Sequence, residues 1–253
     1  MTTLNGLLCA GSLYIERLNA AGVGQGLIGP LNTTKLEIKP TSENKPRLSK
    51  QVGTFGQAID SVDIPGPTEI AIALDDQPTE IVELALQGTS EAINAAAGSI
   101  VAESVTLIKD RWVEFSLSNV VAEGLIVTDT GNADAPLGLG VDFEINYQMG
   151  MIKPIAGGSI EDGGDIKITA TSNAYTGTRV KSGGALGTKY RVLLDGKNLA
   201  NGKPIKLTIG KCSLSPSNGT DFMAGDYVST ELGGKIEIGS NGLAPYFFDE
   251  MDV

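Results

Sequence analysis

Ile205-Lys206-Leu207-Thr208-Ile209 reads apolar, polar, apolar, polar, apolar. Successive side chains of an extended chain point to opposite faces, so the three aliphatic residues share one side and Lys206 and Thr208 the other. A strand with one buried and one wet face, typical of antiparallel sheets, follows from that pattern. Working outward, the same period returns along the chain. Ile70, Ile72 and Leu74 lie opposite Ala71 and Ala73, and Leu36 and Ile38 lie among Lys35, Glu37 and Lys39. Val113, Phe115 and Leu117 alternate with Glu114, Ser116 and Ser118, and Val141, Phe143, Ile145, Tyr147 and Met149 with Asp142, Glu144, Asn146 and Gln148. Ile236-Glu237-Ile238 repeats it after Gly233-Gly234. The fold class is mainly β.

One segment departs from period two. Asp76 to Gly88 predicts a short helix, capped by Asp76 or Thr79, with Pro78 in its first turn, Glu80 at its positive end and Gly88 closing it. Ile81, Leu84 and Ala85 form a stripe to lie on a sheet. The Ala-rich run Ser90 to Gly98 reads equally as helix or loop. Residues 40–56, punctuated by Pro40, Pro46 and Gly53, read as a long polar, basic loop or an extended hairpin. Residues 102–178 contain closely spaced strands and turns at Lys109-Asp110-Arg111, Asp129-Thr130-Gly131-Asn132 and Glu161-Asp162-Gly163-Gly164. They predict an inserted β-sandwich module with Trp112 and Phe143 in its core. The host domain is then 1–101 and 179–253, with flexible borders at Gly98 and Ser182-Gly183-Gly184.

Composition bounds the chemistry. In 253 residues, 19 Lys and Arg against 30 Asp and Glu leave a charge of −11, a poor match to phosphate-rich partners. Histidine is absent, which removes Ser-His-Asp and Cys-His nucleophiles, His-ligated metals and His proton shuttles. Cys9 and Cys212 have no metal-ligand spacing and read as reduced thiols. No apolar run approaches the length of a membrane span, and the opening Met1 to Ser12 has no basic residue before its apolar stretch, so it does not read as a secretory signal.

Several motifs have plainer readings. Gly24-Gln25-Gly26-Leu27-Ile28-Gly29 spells a dinucleotide fingerprint, but Pro30 follows where a helix must open, so a glycine-rich hairpin turn is expected. Asp129-Thr130-Gly131 matches one half of an aspartic-protease dyad, and the chain holds a single copy; Asp-Thr-Gly-Asn is also turn chemistry. The acidic turn Glu161 to Asp165 lacks the ligand alternation of a calcium loop. The sequons Asn32-Thr33-Thr34 and Asn218-Gly219-Thr220 have no secretory segment before them, and Asp60/Asp63 and Asp142/Glu144 read as solvated strand carboxylates. Neither an enzyme nor a cofactor or metal site is expected.

Taken in order, Leu13–Gly22, Thr34–Lys39, Phe55–Pro65, Thr68–Leu74, the helix ending at Gly88, Tyr190–Asn198, Pro204–Ile209 and Val228–Ile238 form a set that resembles the major tail tube proteins of long-tailed, non-contractile phages. Leu13-Tyr14-Ile15-Glu16-Arg17-Leu18-Asn19-Ala20-Ala21-Gly22 is similar to their opening strand and turn. Thr34–Lys39, the long polar loop, Phe55–Pro65, Thr68–Leu74 and the helix ending Ala85-Leu86-Gln87-Gly88 follow in the same order. Tyr190–Asn198, Pro204–Ile209, Leu214-Ser215-Pro216 and Val228–Ile238 are similar to the closing strands. The resemblance covers about residues 1–100 and 185–253, and the insert resembles β-rich decorations of phage structural proteins.

The resemblance implies a tail-tube β-sandwich with one flanking helix, six copies closing a ring around a β-barrel lumen, and rings stacked into a conduit for DNA ejection. Implied partners are the chain itself, tail terminator and tail tip proteins, and a tape measure protein in the lumen. Double-stranded DNA passes through without specific binding, and no membrane is involved. The expected location is the virion tail, after synthesis in the host cytoplasm. Expected lumen residues are Glu37, Gln57 and Asp60, on the polar faces of 34–39 and 57–63. Expected inter-ring residues are Lys45, Arg47 and Lys50, with the insert on the tube exterior. The alternatives are the inner tube of a contractile tail or injector, which a decorated outer wall disfavours, and a carbohydrate-binding or adhesin module. The latter calls for exposed aromatic platforms, whereas Trp112 is expected to be buried.

Overall fold

A computed structural model describes residues 6–184, 187–223, 225–239 and 244–252; the leader reading of Met1 to Asn5 lies outside the described residues. The strands in chain order begin β1 (Cys9–Leu18), β2 (Gly24–Leu31), β3 (Thr33–Lys39), β4 (Ser42–Leu48), β5 (Ala58–Pro65) and β6 (Glu69–Leu74), followed by helix α1 (Thr79–Ala85) and β7 (Thr89–Ala95). Next come β8 (Gly98–Thr106), β9 (Val113–Glu114), β10 (Ile126–Asp129), β11 (Ala135–Pro136), β12 (Phe143–Asn146), β13 (Met151–Pro154), β14 (Asp165–Ser172) and β15 (Tyr175–Lys181). The chain closes with β16 (Lys189–Asn198), β17 (Pro204–Pro216), β18 (Thr230–Ile236) and β19 (Tyr246–Glu250). The protein is mainly β, in several sheets, none closed into a barrel among the described residues.

Two compact units emerge: residues 1–91 with 180–253, and residues 92–179. The chain passes between them on β7 and β15, which pair as a ribbon. Ser90 to Gly98 is thus neither helix nor loop over most of its length, because pairing with β15 outweighs the helix preference of its alanines. The first crossing also precedes the expected boundary at 102, since β8 begins at Gly98 and is paired along its length with β14 of the second unit.

In the first unit the order is β2-β1-β16-β17-β18-β6-β3, with β19 also on β17. One edge of β17 is covered by β16; the other carries β19 along Ile205–Ile209 and β18 along Cys212–Pro216. The change of partner falls at a bulge, where Gly210 and Lys211 together oppose Arg191. The extra residue resets the alternation, so Ile205, Ile209, Cys212 and Leu214 all face inward. Leu13, Ile15, Ile72, Leu74, Val192 and Leu232 complete the centre of this core. On the outer side, Glu16 faces Arg191 across the β1–β16 pair, with oxygen and nitrogen 3.2 Å apart.

Helix α1 buries Ile81, Leu84 and Ala85 as the stripe requires. Its cap differs from expectation. Pro78 occupies the N-cap with no side-chain cap bond, while the Asp76 carboxylate instead accepts the Asn32 amide at 2.6 Å. The expected glycine-rich turn is also displaced: Gly24 to Gly29 lie within β2, the turn being Asn19–Val23. Strand pairing with β1 leaves no helix to hold a pyrophosphate there.

The second unit has a four-stranded sheet, β11-β10-β14-β8, and a three-stranded one, β12-β13-β9. Val105, Val127, Ile166 and Ile168 of the former share a core with Phe143 and Ile152 of the latter. Gly150 turns the chain between β12 and β13 at φ 67°, and a Cβ there would fall 1.6 Å from the Leu117 carbonyl oxygen. Asp129 caps a short 3-10 turn by accepting the Gly131 amide at 2.9 Å, so Asp-Thr-Gly here is a turn.

Two expectations fail in this unit. Trp112 is not buried but 43% exposed. The strand expected over 141–149 shrinks to Phe143–Asn146, because Asp142 turns inward and Val141 outward. Asp142 is buried, not solvated: its carboxylate accepts the Gly138 amide at 2.7 Å and the Ser159 amide at 2.8 Å, stapling two loops. Those amides, Gly138 foremost, hold its carboxyl below the ordinary value of 3.8.

Two predictions test this packing. Ile72→Ala should cost about 2–5 kcal/mol in urea unfolding followed by circular dichroism, since a fully buried side chain leaves a cavity. Asp142→Asn should destabilise the second unit by about 1–3 kcal/mol at pH 7, read from the single tryptophan. A depressed folded value contributes stability above the ordinary carboxylate value and loses it as pH falls through the folded one. The gap between parent and Asp142→Asn should therefore close as pH drops below 3.8.

Candidate assembly surface

Strands β3 and β6 pair from Thr33↔Leu74 to Lys39↔Glu69, and the chain then leaves the large sheet. Proline at 40, 65 and 67 withholds amide donors at the junction, where the Thr41 carbonyl accepts the Gly66 amide at 2.7 Å and the Thr41 hydroxyl donates to the Pro67 carbonyl at 2.8 Å. Beyond it β4 and β5 pair from Ser42↔Pro65 to Leu48↔Ala58 as a separate two-stranded arm. The segment 40–56 is accordingly the first half of an extended hairpin rather than a loop.

Every residue of β4 and β5 is exposed. Phe55 and Val62 are 75% and 64% exposed, and Leu48, Val52, Ile59 and Ile64 stand in solvent as well. A two-stranded ribbon with no buried face is at best marginally stable in water, and its two free edges are templates for another chain. Its turn is nonetheless ordered: Ser49 is buried, its hydroxyl 2.7 Å from that of Thr54, and its amide donates to the Gln57 carbonyl at 2.7 Å.

Lys45 and Arg47 lie on β4, Lys50 and Gln57 at the turn and Asp60 on β5. Arg47 grips Asp60 with a forked pair of contacts at 2.8 and 3.0 Å, and Asn44 donates to Asp63 at 2.7 Å. The arm therefore unites groups that the sequence reading divides between a bore and an inter-ring contact. Glu37 stands apart on β3, paired with Lys35 at 2.7 Å, which holds its carboxyl below the ordinary range.

A second opening lies along β3. At the end of the strand order, β3 pairs only with β6 among the described residues. Beside it a groove of about 670 Å³ is lined by Thr33, Leu36, Ile38, Leu194, Leu207 and Tyr246. The Thr33 hydroxyl oxygen is buried there without a hydrogen-bond partner among the described residues. Sequence reasoning missed both this groove and the exposure of Val62 and Ile64, because alternation marks which residues share a face, not whether that face is covered.

Burial pushes the Cys212 thiol up to about 12, so it stays protonated near neutrality. Among the described residues no group of His, Cys, Asp and Glu is placed to hold a metal ion, and no helix is long and apolar enough to cross a membrane.

Because the arm lies off the core, Arg47→Ala and Phe55→Ser should each move the unfolding free energy by no more than about 0.5 kcal/mol. A loss above about 2 kcal/mol in urea titration would mean that the arm packs on the core of its own chain.

Comparison with the curated proteins finds no match. A family model does match, over residues 7–241, which takes in the second unit, the arm and all of the first unit's strands but β19. The chain thus belongs to the family described as protein of unknown function UCP028589.

Proposed function

We propose that the chain is a structural subunit of a phage tail tube, which stacks as hexameric rings into a conduit for DNA ejection. The observation that carries this reading is the β4–β5 arm: an ordered, paired segment whose every residue is exposed and which bears large apolar side chains. Ordering a ribbon costs conformational entropy that its own contacts do not offset, so a second copy of the chain is the natural cover. Lys45, Arg47 and Lys50 are balanced within the arm by Glu43, Asp60 and Asp63, so in a chain of net charge −11 the arm itself is neutral and can approach another acidic copy without net repulsion.

The free edge of β3 supports the same reading. Joining it to a neighbour's sheet, as ring closure would, pairs backbone groups that otherwise invite aggregation. On this reading the tail-tube β-sandwich is the first unit, its lumen forms only between subunits, and the second unit decorates the tube. The ordered resemblance to tail tube proteins supplies the six-fold ring, the tape measure, terminator and tip partners and the passage of DNA.

Negative-stain electron microscopy of the concentrated protein should show rings or tubes with a central hole. Replacing 42–65 by a short Gly/Ser turn should leave the circular dichroism spectrum and unfolding midpoint near those of the parent while abolishing tubes. A strictly monomeric parent across buffers, or tubes of normal length from the shortened chain, would overturn the reading.

A further inference from the structure

We propose that the outer face of β9, β13 and β12 in the second unit binds carbohydrate, specifically a neutral glycan. The inference does not depend on tube assembly, and it starts from Trp112, the chain's one tryptophan, which stands 43% exposed. Leaving an indole in water forfeits much of the apolar burial it could supply, so its placement calls for a reason.

The surroundings of the ring are built. Lys153 Nζ lies 5.3 Å from the indole centroid and 3.0 Å from the Glu144 carboxylate. Glu144 and Lys153 are directly opposed in the β12–β13 register, and Ile152 opposes Val113 in the next pair. Glu144, Lys153 and Trp112 therefore form one row across the sheet, on the face opposite buried Ile152. The adjoining row is Asn146, Met151 and Glu114. The lysine orients the ring from one side, and its charge is already matched by Glu144.

The second row supplies hydrogen-bonding groups at the strand repeat, about 7 Å from the first. Glu114 is exposed and makes no ion pair among the described residues. The Asn146 side-chain oxygen accepts the Met149 amide at 3.1 Å, which leaves its two amide hydrogens for a ligand. An aromatic plane beside a carboxylate acceptor and an amide donor matches a pyranose, whose ring carbons present an apolar face and whose rim carries hydroxyls. An acidic sugar would meet the uncompensated Glu114 carboxylate, so the ligand class is neutral.

The test uses the full chain and isothermal titration calorimetry with maltohexaose, cellohexaose and chitohexaose, with hexagalacturonate as the acidic comparison. At least one neutral hexasaccharide should bind saturably and shield Trp112 from acrylamide quenching. Trp112→Ala should weaken that binding about tenfold or more, and Glu114→Gln several-fold, with unchanged thermal unfolding. If Trp112→Ala fails to fold, quenching protection in the parent chain still decides the matter. No binding of any neutral hexasaccharide, saturable binding without protection of Trp112, full affinity in Trp112→Ala, or tighter binding of hexagalacturonate would each overturn the proposal.

Discussion

Much of the first unit depends on a single strand having both edges hydrogen-bonded. β17 runs thirteen residues, pairs with β16 on one side, and gives its other side first to β19 and then to β18. The bulge at Gly210-Lys211 makes this compatible with a core, because without an extra residue Cys212 and Leu214 would point outward while Ile205 to Ile209 pointed in. The strands carrying Leu13 and Ile15 on one flank, and Ile72 and Leu232 on the other, connect to the sheet through it.

The same rule of paired edges and covered faces makes the exceptions informative. Among the described residues, β4 and β5 satisfy each other's inner edges but bury no face, and β3 leaves an edge free beside a groove lined by Thr33, whose buried hydroxyl has no partner. Within one chain these are costs. On the assembly proposed above they would become pairing and burial between copies, which would let a subunit small in aromatic content build a rigid wall. The Arg47–Asp60 fork and the Ser49–Thr54 contact tie the arm together within one chain.

Strand alternation was legible wherever a strand is half-buried: Ile70, Ile72 and Leu74, and Ile205, Leu207 and Ile209, point inward as the period requires. The helix stripe Ile81, Leu84 and Ala85 was equally clear. Illegible features share one cause, in that a distant partner decides them. Ser90 to Gly98 is drawn into a ribbon by β15; Asp142 is turned inward by the Gly138 and Ser159 amides; Asp76 is taken from its cap role by Asn32. Of the candidate site, Lys45, Arg47 and Lys50 stood out by charge, but their joining with Asp60 and Gln57 in one arm required the β4–β5 register. The exposure of Trp112 had no signal in its own neighbourhood, and neither had the contact its ring makes with Lys153 some forty residues away.

Amide hydrogen exchange of β4 and β5, compared between dilute and concentrated protein, addresses the central claim most directly: that the arm is completed by another copy. Local openings of a ribbon with no buried face lie near zero free energy, whereas those of core strands approach the global value. The account predicts that amides of Ser42–Leu48 and Ala58–Pro65 exchange almost unprotected in dilute protein, while those of β17 are protected, and that the arm's protection rises steeply on assembly. Arm amides as protected as β17 in the dilute monomer, or no gain in protection at any concentration, would contradict it.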